Sequence, residues 1–214
     1  MDDIDAAIVS YPQLSVQTAN GIQILSGELP IIDQSGYEWD RYQVELYPSP
    51  LYPFRFPYLF ETRGRIPRIM DWHIYTDTGS CCVDITPSEI LHCREGLSLA
   101  DYIRRFAIPY FANQTYRIRE GYYKNGEYSH GGKGMLEFYM PVLRCDDPVK
   151  ALQLLELYCS GAAGNKSIFH FCFCGSRKKM MNCHRKAVEV LNNIGIAEVR
   201  LHTFHVRKYL SDRK

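Results

Sequence analysis

The sequence predicts an α+β fold: an antiparallel β-meander with flanking helices, followed by a small C-terminal zinc module. Three observations carry this. Apolar residues alternate with polar ones between residues 21 and 62, with turn composition between the runs. After Ser98 the apolar period lengthens to that of a helix. Near the C-terminus, Cys172, Cys174, Cys183 and His184 follow the spacing Cys-x-Cys-x8-Cys-His. Three thiolates and an imidazole are the ligand set of a closed tetrahedral zinc site.

The elements follow in order. Residues 2–19 hold a short apolar pattern, Ile4, Ile8 and Leu14, that reads as a first helix broken at Pro12. Gly21–Ile32 reads as a strand, and Asp33-Gln34-Ser35-Gly36 as a turn. Tyr37–Tyr47 has the cleanest alternation, with Tyr42, Val44 and Leu46 on one side and Arg41, Gln43 and Glu45 on the other. Phe54, Phe56, Tyr58 and Phe60 alternate in a third strand over Phe54–Thr62, which Pro53 and Pro57 push toward an edge. A loop crosses Pro67, Trp72 and His73. After the turn Asp77-Thr78-Gly79-Ser80 the chain is expected to straighten through Cys81-Cys82-Val83-Asp84-Ile85. Adjacent side chains of a strand face opposite ways, so one of the two thiols should face a groove and the other the core.

Ser98 can cap a helix carrying Leu99, Tyr102, Ile103 and Phe106, with Arg104 and Arg105 on its other face. Pro109 interrupts, and a second helix is expected from Tyr110 to Arg119. Residues 120–139, rich in glycine and tyrosine, read as a surface loop. Gly131-Gly132-Lys133-Gly134 lacks the spacing of a phosphate loop. Asp147-Pro148 is a strong helix start, with Val149, Leu152, Leu155 and Leu157 following to Cys159. Gly161–Asn165 reads as a linker. A helix through Val188 and Leu191 should pack on the zinc module, and Val199, Leu201 and Thr203 suggest a final strand.

Composition narrows the class. The 214 residues carry a formal net charge of +1, which gives no global argument for nucleic acid or a membrane surface. No apolar run approaches the length needed to cross a bilayer. The N-terminal stretch is acidic and lacks a signal pattern, so a cytoplasmic location is expected. In that setting eight cysteines point to metal ligands or nucleophiles rather than disulfides.

The stretch 52–85 resembles the centre of ubiquitin-conjugating enzymes. Tyr52-Pro53 stands for the family's YP turn, Phe60-Glu61-Thr62 for the strand after it, and Gly79-Ser80-Cys81-Cys82-Val83-Asp84-Ile85 for the segment around the catalytic cysteine. The resemblance covers roughly residues 20–115 and places Cys82 at the catalytic position, with Cys81 as its core-facing neighbour. Where the family has a His-Pro-Asn triplet, whose Asn is thought to stabilise the oxyanion, this chain has Trp72-His73-Ile74. That variant looks like the bacterial branch of the family. His73 is the candidate oxyanion donor, because a ring N–H can donate to developing negative charge. The competing reading is that His73 only braces the loop. His130, in the segment GEYSHGGKG, is a second histidine considered for the active site.

The C-terminal spacing, with Gly175-Ser176 and Arg177-Lys178-Lys179, resembles the SEC-C motif, the zinc-binding module named after the C-terminus of a bacterial secretion ATPase. His170 is not counted as a ligand. These resemblances imply a ubiquitin-conjugating-enzyme-like domain over residues 1–145 and a helix, linker and zinc module over 146–214. They also imply a ubiquitin-like protein carried as a thioester on Cys82, an adenylating activating enzyme that loads it, and a protein substrate that offers an amine. Two other classes compete. One is an inactive adaptor of the same fold that binds through its zinc motif. The other is a thiol hydrolase using Cys82 with His73 or His130, which lacks a recognisable third group to orient the histidine.

Overall fold

The computed structural model describes residues 3–124, 126–162 and 169–213. They fall into two compact units, Met1–Asp84 with His92–Glu127, and Ile85–Leu91 with Tyr128–Lys214. The helix Gly131–Val142 groups with the C-terminal part of the chain.

In the first unit, α1 (Asp3–Ser10) leads into a four-stranded antiparallel sheet of order β1-β2-β3-β4. The strands are Leu14–Ala19, Ile22–Ile32, Glu38–Tyr47 and Tyr58–Glu61. Each pairs with its sequence neighbour, as a meander requires. Leu14–Ala19 is an additional edge strand that the sequence reading missed. Most of its side chains are exposed, so it carries little alternation. Its first residue pairs with Gly27, where φ is +154° and an added Cβ would lie 2.2 Å from the Gln13 carbonyl oxygen.

β3 presents Tyr42, Val44 and Leu46 to the core, as its alternation predicts. The fourth strand is shorter than expected and faces the other way. It begins only after Pro57, and its inward residue is Leu59, whereas Phe54 and Tyr58 are exposed. The prolines displace the start of pairing, so the aromatic alternation before residue 58 does not report one sheet face.

Ser98 caps α3 (Leu99–Tyr102) by accepting the Asp101 N–H at 3.2 Å. The path continues through a π-helical turn, Ile103–Ala107, into α4 (Ile108–Glu120). Pro109 therefore does not break the helix. It sits in the first turn of α4, and the wider turn before it accommodates the missing N–H. Leu25, Leu29, Tyr42, Val44, Tyr102, Ile103 and Phe111 are fully buried where the helices cover the sheet. Tyr42 stacks on Phe111 at 4.5 Å between ring centroids. Each such side chain contributes on the order of 2 kcal/mol by leaving water.

The helix α2 (Thr86–Cys93) follows the cysteine pair directly and was not read from sequence. Cys81 makes a single bridge with Ile74, and no strand forms at 81–85.

In the second unit, α5 (Gly131–Val142) occupies what was read as a loop. Glu137 reaches back to the backbone N–H and hydroxyl of Ser129, closing the start of the helix. α6 (Pro148–Cys159) begins as expected: the Asp147 carboxylate accepts the N–H groups of Val149 and Lys150 at 2.8 and 3.0 Å. Its buried face is Ala151, Leu154, Leu155 and Tyr158, while Val149 and Leu157 are exposed. Of the linker expected at 161–165, residues 163–165 lie outside the described residues. α7 (Arg185–Ile194) buries Ala187, Leu191 and Ile194.

The expected final strand is the helix α8 (Ile196–Ser211). Val199, His202, Thr203 and Val206 are buried, which is i, i+3, i+4, i+7. Leu201, which suggested alternation, is exposed. Among the described residues, no helix is long and apolar enough to cross a membrane.

Candidate functional site

Two constellations stand out, one in each unit. The first is built around the loop before Cys82. A short 3-10 turn, Met70–Trp72, ends on His73, whose backbone is left-handed at φ 52° and ψ 41°. A histidine tolerates that conformation only at a cost, so its surroundings must hold it. They do so through the two carbonyls at the end of the turn. Gln114 of α4 donates its side-chain N–H to the Trp72 carbonyl at 3.0 Å. The His73 carbonyl accepts the Tyr110 hydroxyl at 3.0 Å and the Cys82 N–H at 2.8 Å. Arg117 lies 4.2 Å over the Trp72 ring, 4.6 Å from the Tyr123 ring, and pairs with Asp71.

The cysteines are pinned from the other side. The Cys81 N–H donates to the Leu59 carbonyl of β4 at 2.7 Å. The turn ahead of them closes through Gly79 N–H to the Tyr75 carbonyl, and Arg68 ties down the carbonyls of Thr76 and Asp77. Burial pushes the Cys81 thiol up to about 12, against a hydrogen bond with Tyr110 that lowers it. Cys81 is thus a protonated core residue, as expected from its place beside the candidate nucleophile. The expected exposure of Cys82 is not found: the two cysteines are 8 % and 9 % exposed. No strand forms here, so the alternation argument for opposite faces does not apply.

A ring nitrogen of His73 and the Cys82 thiol sulfur lie within 4.8 Å of one another. That separation is short enough for proton transfer after a small rotation or through one water. The Nε2 of His73 also contacts a carboxylate oxygen of Glu127, and the Tyr123 ring stands edge-on to the imidazole at 5.4 Å. Glu127 is the residue that sequence reasoning missed. It lies 54 positions from His73 inside a segment read as a surface loop, and no local motif marks it. His130 precedes α5 as its N-terminal flanking residue in the second unit.

The second constellation is the Cys172, Cys174, Cys183 and His184 cluster, which could hold a metal ion. Its ligand atoms all lie within 4.8 Å of one another. The sulfur atoms of Cys172 and Cys183 are 3.3 and 3.2 Å from the Nδ1 of His184, and Cys174 and Cys183 are 3.6 Å apart. Ligands about 2.0–2.3 Å from a tetrahedral centre sit about 3.3–3.8 Å apart, so the set fits. A short knuckle brings the first two cysteines in. The Cys172 N–H bonds the Lys178 carbonyl, and Phe171 bridges Lys179. The 3-10 turn Met180–Asn182 then delivers Cys183 and His184.

The His184 Nε2 meets the Leu143 carbonyl at 2.9 Å. That oxygen can only accept, so Nε2 carries the hydrogen and Nδ1 presents its lone pair to the cluster. Burial raises the Cys172 thiol to about 11. Cys174 is also raised by burial, but hydrogen bonds with Ser176 and the neighbouring thiols win and bring it down to about 6. Comparison with protein-family models, with curated proteins and with solved structures returned no match.

Proposed function

We propose that the chain is a ubiquitin-like protein conjugating enzyme of the bacterial kind, which carries its cargo as a thioester on Cys82 and passes it to an amine. The observation that carries this reading is Cys82 beside His73, on the segment that follows a β-meander and precedes the long helical path. A thioester is already activated, so transfer needs a positioned thiol, a nearby imidazole and little else. The activating enzyme and the ubiquitin-like protein are the partners this chemistry requires. The Cys3His cluster is read as a structural zinc site with no open position, which stabilises a module too small to do so by apolar burial alone. Zinc supplies no step in the transfer.

One observation favours a second reading. Glu127 on His73 completes a cysteine, histidine and carboxylate series, which suits a thiol hydrolase. Mass spectrometry of the protein mixed with an activating enzyme, ATP and ubiquitin-like proteins separates the classes. A conjugating enzyme forms a reductant-sensitive adduct on Cys82 that needs both the activating enzyme and ATP. A hydrolase cleaves supplied conjugates without them. An adaptor forms no adduct, and that result rejects the proposal.

A further inference from the structure

We infer that the knuckle around the Cys3His cluster, with its unpaired cations and its exposed Phe171, is a docking surface for a single-stranded nucleic acid. The inference stands apart from the reading of Cys82 and rests on residues of the second unit alone.

The formal +1 of the whole chain is the remainder of two opposite balances. Residues 128–214 with 85–91 carry 14 Lys and Arg against 8 Asp and Glu, a formal +6. The other unit carries 11 against 16, a formal −5. Salt screens exposed charges within about 8–10 Å, so a polyanion meets the local balance rather than the total.

Part of the excess gathers beside the metal ligands. Arg177, Lys178 and Lys179 are exposed on the knuckle, between Cys174 and Cys183. Cys183 also lines a cavity of about 370 Å³ together with Arg144, Arg185, Lys186 and Glu189. Glu189 pairs with Arg185 at 2.8 Å. Among the described residues, no carboxylate forms an ion pair with Arg144, Arg177, Lys178, Lys179 or Lys186. Asp147, three positions after Arg144, is occupied by the cap of α6. Arg144 and Arg177 both stand on left-handed backbone, at φ 51° and 58°. Arginine adopts that conformation only at a cost, and such costs collect where a side chain has a task.

The cations alone would accept any polyanion, and Phe171 narrows the choice. Its side chain is 71 % exposed. It pairs with Lys179 through an antiparallel bridge, and residues directly opposite in such a pair carry their side chains on one face. A ring and an ammonium side by side match one nucleotide: an unstacked base lies on the ring while its phosphate meets the cation. A duplex keeps its bases stacked on one another and offers these residues only phosphates. An acidic peptide brings carboxylates and no base.

The test uses the full chain as purified. Fluorescence anisotropy follows a fluorescein-labelled oligouridylate about 12 nucleotides long, within ordinary single-strand site sizes. An abasic strand, a duplex and an oligoglutamate of similar charge are measured beside it. Binding of the oligouridylate should weaken as salt rises, because bound phosphates release counterions. Lys178→Ala with Lys179→Ala, and Arg144→Ala with Lys186→Ala, should each flatten the log–log salt dependence by about 0.7 for every phosphate contact removed. Phe171→Ala should weaken binding about fivefold to a hundredfold and leave the salt slope in place, since stacking releases no counterion. The abasic strand should bind more weakly than the natural one and be indifferent to Phe171→Ala.

Absence of binding at low salt overturns the inference. Oligoglutamate or duplex bound as tightly as the single strand assigns the surface to another class of partner and overturns it too. So does a Phe171→Ala affinity equal to wild type. Cross-linking gives a reading that needs no variant. Wild-type protein is irradiated with a strand carrying 5-iodouridine, and mass spectrometry locates the attachment. Attachment within residues 169–186 is expected, and attachment confined to the β-sheet unit overturns the inference.

Discussion

The Tyr110 hydroxyl donates to the His73 carbonyl at 3.0 Å, and so one helix residue sets the end of the loop that faces Cys82. Tyr110→Phe deletes that bond and the hydroxyl's bond with Cys81 while keeping the ring. The carbonyl retains the Cys82 N–H, so the expected loss is about 1–2 kcal/mol, the net worth of one or two typical hydrogen bonds. Urea denaturation measures it. A stability equal to wild type would show that the hydroxyl does not hold the loop.

The two thiols should react very differently. Burial pushes Cys81 up to about 12, so iodoacetamide at about pH 8, just below an ordinary thiol pKa, should label Cys82 first. The sign for stability follows. The folded state keeps the Cys81 proton to higher pH than the unfolded chain does, so this contribution is intact below about pH 8.5. It is lost as pH climbs toward about 12. Cys81→Ala should remove part of that alkaline loss, read by denaturation across the range. Preferential labelling of Cys81 would reverse the assignment of the two residues.

Metal content tests the second constellation. Purified protein should carry about one zinc per chain, the load of a single four-ligand site. Cys172→Ser and Cys183→Ser should each lose it and loosen residues 169–213, with the β-sheet unit still folded by circular dichroism and proteolysis. His184→Gln should lose metal too, since it removes the Nδ1 that two sulfurs surround. Metal-free protein with a protease-resistant tail would contradict all three.

α5 and α8 approach closely at Gly132. A Cβ there would stand 2.3 Å from the His205 carbonyl oxygen and 2.7 Å from the Tyr209 Cβ. Backbone cannot yield as a side-chain tip does, so Gly132→Ala should cost about 1–3 kcal/mol by overpacking. The exposed neighbour Lys133→Ala should change stability by less than about 0.5 kcal/mol. Equal stability of the two variants, by thermal or urea unfolding, would show that the helices separate easily.

What the sequence revealed depended on how local the physics was. The Asp147 and Ser98 caps and the alternation of Tyr42, Val44 and Leu46 are decided within a few residues, and each was legible. The Cys-x-Cys-x8-Cys-His spacing was legible for the same reason, because a knuckle and one short turn bring its four ligands together. β1 was not, because an edge strand with mostly exposed side chains has no buried face to imprint on its sequence. α8 was misread because Val199, Leu201 and Thr203 fit period 2 over three positions, whereas the helical period shows only when His202 and Val206 are included. Glu127 was invisible because its meaning comes from a partner 54 residues away.

The π-helical turn at Ile103–Ala107 sets a phase. Every residue in an α-helix advances the side-chain direction by about 100°, so the wider turn fixes the angular offset between α3 and α4. Tyr110 and Gln114, four residues apart, reach the loop carbonyls only at that offset. Removing one residue at Arg104 or Arg105 would restore ordinary α-helical winding and leave α4 near its present phase, because four α-helical residues turn almost as far as five in the wider turn. The wide turn thus absorbs one residue without moving Tyr110 and Gln114 off the loop carbonyls. The same deletion just after it, at Pro109, has no wide turn to absorb it and would swing the rest of α4 by about 100°. Chain length is therefore negotiable among the exposed arginines and fixed one turn later.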